Sequence, residues 1–522
     1  MLKQIQQIGH RGFLFADKWT NVAFGSANNP LYHLGTLAFF FFYILLVTGI
    51  YIYIFFETGT NTSYTSVEAL TQQWYLGGVM RSLHRYASDA MLACMILHLL
   101  RGFFSNRYRG ARWFSWSTGV PMLVIVFILG LTGYWLVWDQ LGQFVAVRTM
   151  EMIDWLPIVA EPTARNFLTN TSVTDLFFRL LVVTHLGLGL FLLGGMLLHV
   201  NRLNEAKINP PRTLAIGAFL ALVVLSLIKP ALSHAPADMG ISPTVLNLDW
   251  FYMFFYPLMD IWPMSYVWAL VGGGTLFVFL LPWLPPQKRE HVAEVYLDDC
   301  SGCNLCVQDC PYEAIRLEKR SDGHPRFARE AMVIAEHCVS CGICVGSCPF
   351  STPNRQTEKL TTGIDMPNRN IQHLRDDTLE AIEKISGDTK ILVYGCDHAM
   401  KMEQLDIPGV AALSLPCTGA LPPSFVDYAI RKGADGVILT GCRKGDCFHR
   451  PGNFWVEERL AGARMPQLKR SVDRQRLMVS WAAISDKKEL MADIEIFKQQ
   501  LSELDKQGAK ASTGTALPAE KE

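Results

Sequence analysis

Charge is scarce in this chain and cancels over its length: 18% of the 522 residues are charged, 47 basic against 47 acidic. A sum of zero makes no electrostatic case for nucleic acid or for an acidic partner. Cysteine is almost missing from the first 299 residues, where Cys94 stands alone; the other twelve of thirteen follow. The N-terminus lacks a small-residue cleavage site and its first apolar run starts late, which argues against a signal peptide. Residues 1–20 read instead as an amphipathic segment lying on a membrane surface, within a leading region 1–33. No flavin or dinucleotide fingerprint occurs, so any flavin belongs to a partner. No C-x-x-C-H motif occurs, so a covalently attached haem is not expected.

What is abundant is hydrophobicity, at 50% of residues, concentrated in 34–286. Six stretches are long and apolar enough to span a bilayer: 34–56, 79–104, 114–138, 175–200, 213–229 and 264–284. Basic residues sort the connections. Lys3, Arg11 and Lys18, then Arg101, Arg107, Arg109 and Arg112, then Arg202, Lys207 and Arg212, then Lys288 and Arg289 fall on one side. The segment 57–78 holds no basic residue. The positive-inside rule therefore places both termini in the cytoplasm. The cysteine-rich half then faces a reducing compartment, where clustered cysteines are more often metal ligands than disulfides. A prokaryotic inner membrane is the expected location.

Two spans carry paired histidines. His84 and His98 are fourteen residues apart, and so are His185 and His199. Fourteen residues make about 21 Å and nearly four full turns, so each pair shares a helix face at two depths. Both helices run from outside to inside. His84 with His185 makes an outer bis-histidine site, and His98 with His199 an inner one, each suited to the two axial positions of haem iron. Histidines bonded to neighbouring helices are the alternative. Glycines repeat the interval: Gly35 and Gly49 on the first span, Gly119 and Gly133 on the third. A glycine lets a flat macrocycle approach the backbone, although small residues also serve helix packing.

These features, with Arg81 before His84, Arg101 after His98, TGYWLVWDQLG (132–142) and LDWF (248–251), resemble cytochrome b of the quinol-oxidising bc-type complexes. The resemblance implies two b haems, with Arg81 and Arg101 neutralising haem propionates. It further implies that Asp249 moves the proton at an outer quinone site, and that His33, Asn204, Glu205 and Lys207 line an inner one. It also implies contact with membrane lipid and a homodimer. Leu248 and Asp249 replace the family's Pro-Glu, and the family's final helices are absent.

Residues 300–311 (CSGCNLCVQDCP) and 338–349 (CVSCGICVGSCP) both fit C-x2-C-x2-C-x3-C-P. In this bacterial ferredoxin run the fourth cysteine ligates the other cluster. Cys300, Cys303, Cys306 and Cys348 are therefore assigned to one [4Fe-4S] cluster. Cys338, Cys341, Cys344 and Cys310 are assigned to a second. Zinc sites more often use separated cysteine pairs.

After a polar linker, 357–388, four apolar runs at 391–395, 410–416, 436–441 and 476–481 read as buried strands. Helices are expected at 425–433, around 453–462 and at 486–504. Cys396, Cys417 and Cys442 follow strands directly and Cys447 lies in the next loop. Sites in open α/β sheets form at the carboxyl ends of strands, so four thiolates can converge there on a [2Fe-2S] cluster; inert core cysteines are the alternative. Residues 391–463, above all PCTGALPPSFVDYAIRKGADGVILTGCRKGDCFHRPGN (416–453), resemble the delta subunit of methyl-viologen-reducing hydrogenase. That resemblance implies a [2Fe-2S] cluster and a flavoprotein partner of the heterodisulfide-reductase type.

The expected fold class is multi-domain. An all-α, six-helix transmembrane cytochrome b bundle (34–286) is followed by a small α+β ferredoxin domain (290–356), an α/β domain (389–506) and a disordered tail (507–522). The expected function is a quinone-linked electron-transfer subunit joining a cytoplasmic flavoprotein to the quinone pool. A non-catalytic electron-transfer anchor, or one branch of a flavin-based bifurcating complex, are the alternatives.

Overall fold

The computed structural model describes residues 2–157, 173–201, 208–241, 245–285, 291–355, 357, 359–387, 389–444 and 447–513. The chain divides into two compact units, the first ending at residue 287 and the second beginning at 288.

The first unit is helical. Helix α1 (Leu2–Phe24) is amphipathic, and its Ile8, Phe15, Trp19 and Val22 stay exposed. Such a helix suits a membrane surface, where apolar side chains find acyl chains. Then come α2 (Leu34–Phe55), α3 (Thr62–Gln72), α4 (Gly77–Phe104), α5 (Trp113–Val137), α6 (Gln140–Asp154), α7 (Asp175–Asn201) and α8 (Arg212–Ile228). A last apolar helix, α9, covers Met264–Trp283. Five of these, α2, α4, α5, α7 and α9, are long and apolar enough to cross a membrane, and α8 is apolar but only 17 residues long. The core lies where α2 and α4 meet α5 and α7, around Phe42, Ala87, Leu92, Val126 and Leu192.

Two helices were not expected from hydropathy. Helix α3 is polar on its outer side and buries only Ser63, Val67 and Leu70. Helix α6 starts at a sharp corner: Trp138 adopts a left-handed conformation (φ 52°), and Asp139 caps the new helix by accepting from the Gly142 amide at 2.8 Å. The other Asp139 carboxylate oxygen accepts from the His234 amide at 2.8 Å. One aspartate thus ties the WDQ corner to the segment after α8.

The second unit opens with a small α+β module. Strand β1 (Glu294–Val295) pairs with β4 (Ile364–Asp365), and β2 (Ile315–Lys319) pairs antiparallel with β3 (Arg329–Val333). The short helices α10 (Leu305–Asp309) and α11 (Ile343–Ser347) follow the two cysteine loops. The loops are built alike. Gly302 and Ser340 (φ 64° and 59°), then Asn304 and Gly342 (φ 73° and 72°), take the left-handed conformation at matching places in the repeat. Alternating hand turns successive amides inward, the geometry of an anion-binding nest.

The rest of the unit is a four-stranded parallel sheet in the order β6-β5-β7-β8: Val410–Leu415, Ile391–Cys396, Gly436–Gly441 and Leu477–Trp481. Every residue of β5 and β7 is buried, which explains why they read as continuous apolar runs. Helices α13 (Ser424–Arg431), α14 (Gly452–Ala461) and α15 (Lys487–Thr513) cover it.

The expected linker 357–388 needs correction, because residues 371–384 form helix α12 (Ile371–Lys384). Asn370 caps it, accepting from the His373 amide at 2.9 Å, and Ile371, Thr378, Ala381 and Ile382 are buried against the sheet. Its exposed face is so charged that average polarity hides the apolar stripe. The expected tail is shorter too, since α15 continues to Thr513.

Candidate functional site

Each of the four histidines meets one of the four glycines. A Cβ added to Gly49 would lie 3.1 Å from His84 Cε1, and one on Gly35 would lie 3.3 Å from His98 Cε1. The same measure is 3.5 Å for Gly133 against His185 and for Gly119 against His199. Glycines of α2 thus stand behind histidines of α4, and glycines of α5 behind those of α7. Each glycine admits an imidazole edge against the neighbouring backbone.

Three of these rings are also oriented. Thr48 Oγ1 lies 3.0 Å from His84 Nδ1, Thr132 Oγ1 2.9 Å from His185 Nδ1, and Thr118 Oγ1 2.9 Å from His199 Nδ1. Each hydroxyl already donates its one proton down its own helix, to Ile44, Ile128 and Phe114 respectively, at 2.7–2.9 Å. It can therefore only accept from the imidazole, which assigns the proton to Nδ1 and the lone pair to Nε2. This is how metal-binding histidines are commonly held. The threonines were missed from sequence, yet each precedes its glycine, and the dipeptide Thr-Gly occurs at 48–49, 118–119 and 132–133. Leu34 stands in that place before Gly35.

The two arginines are differently engaged. Arg81 donates to Thr71 and, at 2.9 Å, to Ser233. Arg101 makes a two-pronged pair with the buried Asp17 of α1, at 2.8 and 3.1 Å. Among the described residues, three of the five Arg101 guanidinium donors remain for other acceptors. His33 precedes α2, with Nε2 3.0 Å from the Ala27 carbonyl. Asn204, Glu205 and Lys207 lie outside the described residues.

Asp249 sits in a denser network than a loop cap needs. One carboxylate oxygen accepts from the Phe251 amide at 2.8 Å, starting a single helical turn, Trp250–Met253. The other accepts from Arg85 Nη2 at 2.6 Å and from Tyr134 Oη at 2.7 Å. Arg85 also pairs with Asp89 and lies over the Tyr134 ring, 5.1 Å from its centre. Two carboxylates therefore share one guanidinium beside Tyr252, whose hydroxyl meets Ser88 Oγ at 2.6 Å. Gly130 makes room for this: a Cβ there would lie 2.2 Å from the Tyr252 ring. Arg85 and Tyr134 directly follow His84 and Gly133 in the chain.

In the second unit the ferredoxin-type cysteines fall into two neighbourhoods. Burial first, then Cys303, Cys348 and Cys300, push the Cys306 thiol up to about 12. Burial, then Cys341, Cys310, Cys306 and Cys338, push Cys344 well above its ordinary value. The fourth cysteine of each run thus lies near the other run. Soft sulfur donors whose free anions burial disfavours suit iron–sulfur clusters, where iron supplies the compensating charge. Among the described residues no three His, Cys, Asp or Glu converge on a single-ion position. Cluster ligands spread over several irons and are not expected to do so.

The four remaining thiols form a closed ring: Cys396 with Cys417 and Cys442, and Cys447 with Cys417 and Cys442. Hydrogen bonds from Cys417 and Cys442 hold Cys447 well below its ordinary value. The bond to Cys396, then that to Cys447, pushes Cys417 well up. The His398 amide donates to Cys396 Sγ at 3.4 Å. A Cβ on Gly452 would fall 2.4 Å from Cys417 Sγ, so only glycine fits under this ring. The residues present suit a small iron–sulfur group.

Comparison with known proteins gives three family matches. Residues 20–207 match cytochrome b/b6/petB, 299–352 match the 4Fe-4S dicluster domain, and 390–505 match the delta subunit of methyl-viologen-reducing hydrogenase. Cytochrome b of Acanthamoeba castellanii is 24% identical over 286 residues, covering 49% of this chain and 73% of the relative. Cytochrome b6 of Porphyra purpurea is 32% identical over 133 residues, or 26% of this chain and 62% of the relative. That of Heliobacterium mobile is 27% identical over 184 residues, or 35% and 86%. A solved chain titled "Hyperthermophilic respiratory Complex III" aligns with 22% identity and a TM-score of 0.42, covering 49% of this chain and 75% of that one.

Proposed function

We propose that this chain is the membrane electron-transfer subunit of a quinone-linked oxidoreductase, carrying electrons between a cytoplasmic flavoprotein and the quinone pool. The observation that carries the reading is the coincidence, in one chain, of four glycine-backed histidines with three cysteine sets of cluster-binding composition. When bound, haem b and iron–sulfur groups supply one-electron carriers. The protein's part is to hold them. His84 with His185, and His98 with His199, present Nε2 to two b haems across six spans, with both termini cytoplasmic. Thr48, Thr132 and Thr118 fix the tautomer. Cys300, Cys303, Cys306 and Cys348 hold one [4Fe-4S] cluster, Cys338, Cys341, Cys344 and Cys310 the other, and Cys396, Cys417, Cys442 and Cys447 the [2Fe-2S] cluster.

In this proposal quinone reacts near Asp249. Arg85 is bonded to both Asp249 and Asp89, so one guanidinium is shared by two carboxylates. Tyr134 and the Phe251 amide keep Asp249 oriented while the proton moves. The test is reduction of the haems by a quinol analogue in the purified protein. Reduction supports a quinone-reactive subunit. Haems that respond only to the soluble partner mark the alternative, an electron-transfer anchor without a quinone site.

A further inference from the structure

The two cysteine repeats share their four cysteines, a valine and the closing proline, and at two of the six places where they differ the second repeat turns to glycine. Where the first has Asn304 and Gln308, the second has Gly342 and Gly346. The structure gives both glycines a reason. A Cβ on Gly346 would lie 2.2 Å from the Gly419 carbonyl oxygen, and one on Gly342 would lie 3.1 Å from Ala420 Cβ. Gly419 and Ala420 belong to the turn after Cys417. The second repeat therefore lies backbone to backbone on the loop that carries a ring cysteine. The apolar contact there is continuous: Cys341, Ile343, Cys417 and Trp455 form one buried cluster. Ile343 Cδ1 and Cys417 Sγ both face Gly452. A buried ion pair fastens the contact. Arg459 donates to Asp309 at 2.5 Å, to Ser347 at 2.7 Å and to the Gly419 carbonyl at 2.9 Å. In contrast, Cys303 of the first repeat is exposed.

We infer that electrons pass between the four-thiol ring and the ferredoxin module through the second repeat, by the Cys417–Ile343–Cys341 contact, and between the module and its other partner at the exposed Cys303 edge. The order is then [2Fe-2S], the cluster of Cys338, Cys341, Cys344 and Cys310, and finally the cluster of Cys300, Cys303, Cys306 and Cys348. Each step moves one electron and no proton: one cluster is oxidised as its neighbour is reduced. The inference rests on the ligand sets proposed above.

The experiment is electron paramagnetic resonance of the full-length protein reduced with dithionite. Two reduced clusters in contact split or broaden each other's signals. The wild-type [2Fe-2S] signal is expected to show this coupling. Cys341→Ser is expected to abolish it, and Cys303→Ser to leave it in place. Coupling lost in Cys303→Ser, or never present in the wild type, overturns the order. Should Cys341→Ser lose all its iron, Cys338→Ser removes the same cluster from a less buried position. If Cys303→Ser and Cys341→Ser delete the same [4Fe-4S] signal, the ligand sets themselves are wrong, which is a separate failure from coupling that follows the wrong cluster.

Discussion

Replacing Thr132 by valine keeps the side chain's shape and removes one acceptor. His185 Nδ1–H then loses its 2.9 Å partner on the apolar face between α5 and α7. A typical intramolecular hydrogen bond contributes about 0.5–1.5 kcal/mol net. Where it raises the basicity of an imidazole bound to iron, it favours the more highly charged oxidised metal. If about 1 kcal/mol of it is specific to the oxidised state, the potential rises by about 40 mV, since a tenfold change in a one-electron equilibrium is about 59 mV. Thr48→Val acts on His84 through the matching 3.0 Å contact, so it is expected to shift the same haem by a similar amount. Thr118→Val acts on His199 and is expected to shift the other haem. The assay is a potentiometric titration of the haem absorption bands in the intact protein, following both components. Two results refute the reasoning: Thr132→Val and Thr48→Val moving different haems, or all three variants moving both haems equally. The first breaks the pairing of His84 with His185, and the second breaks the assignment of the threonines to individual rings.

Asp249→Asn keeps a side chain that can still cap Phe251 but removes a proton carrier. It is expected to slow quinone-linked turnover at least tenfold while haem content and partner-driven haem reduction stay intact, the usual scale for losing a general acid or base being about 100-fold or more; unchanged turnover moves the quinone chemistry elsewhere. Cys442→Ser is expected to delete the [2Fe-2S] signal and lower non-haem iron from about ten to about eight atoms per chain, and a surviving signal in that variant refutes the ring as its site. Among the described residues, Arg459→Leu leaves Asp309 with Arg464 as its guanidinium partner and strips donors from Ser347 and Gly419. Breaking a buried pair costs about 3–5 kcal/mol, so denaturant-induced loss of iron–sulfur absorbance should occur at clearly lower denaturant; a midpoint equal to wild type shows that Arg464 suffices alone.

The interval of fourteen and the C-x2-C-x2-C-x3-C run were legible because ligand spacing on a helix or a tight loop is local. A period along the chain translates directly into a position in space. The strands were legible for the same reason, as apolar runs with Cys396, Cys417 and Cys442 at or just after their ends. The linker helix α12 was not, because its stripe of Ile371, Thr378, Ala381 and Ile382 is diluted by charged neighbours until the average looks like a loop. The threonines behind the histidines fall between these cases. Their Thr-Gly dipeptides repeat in the sequence, but a threonine inside an apolar helix ordinarily bonds its own backbone, and only the facing imidazole gives the second lone pair a purpose.

The polar networks are illegible for a different reason. Arg85 reaches Asp249 across 164 positions, and Arg459 reaches Asp309 across 150. No local pattern announces either pair, and a lone charge on an apolar helix reads equally as a headgroup contact. What a sequence can disclose about such pairs is the asymmetry they leave behind. At Gly342 and Gly346 the second repeat has given up the side chains that the first keeps in Asn304 and Gln308, and at Gly302 the first has given up the one that the second keeps in Ser340. A repeat that departs from its own copy toward glycine has a backbone pressed against it. For the second repeat that backbone is the turn of Gly419 and Ala420, which seats it on the loop of Cys417, while Asp309 at the end of the first repeat is joined to Arg459 beside it.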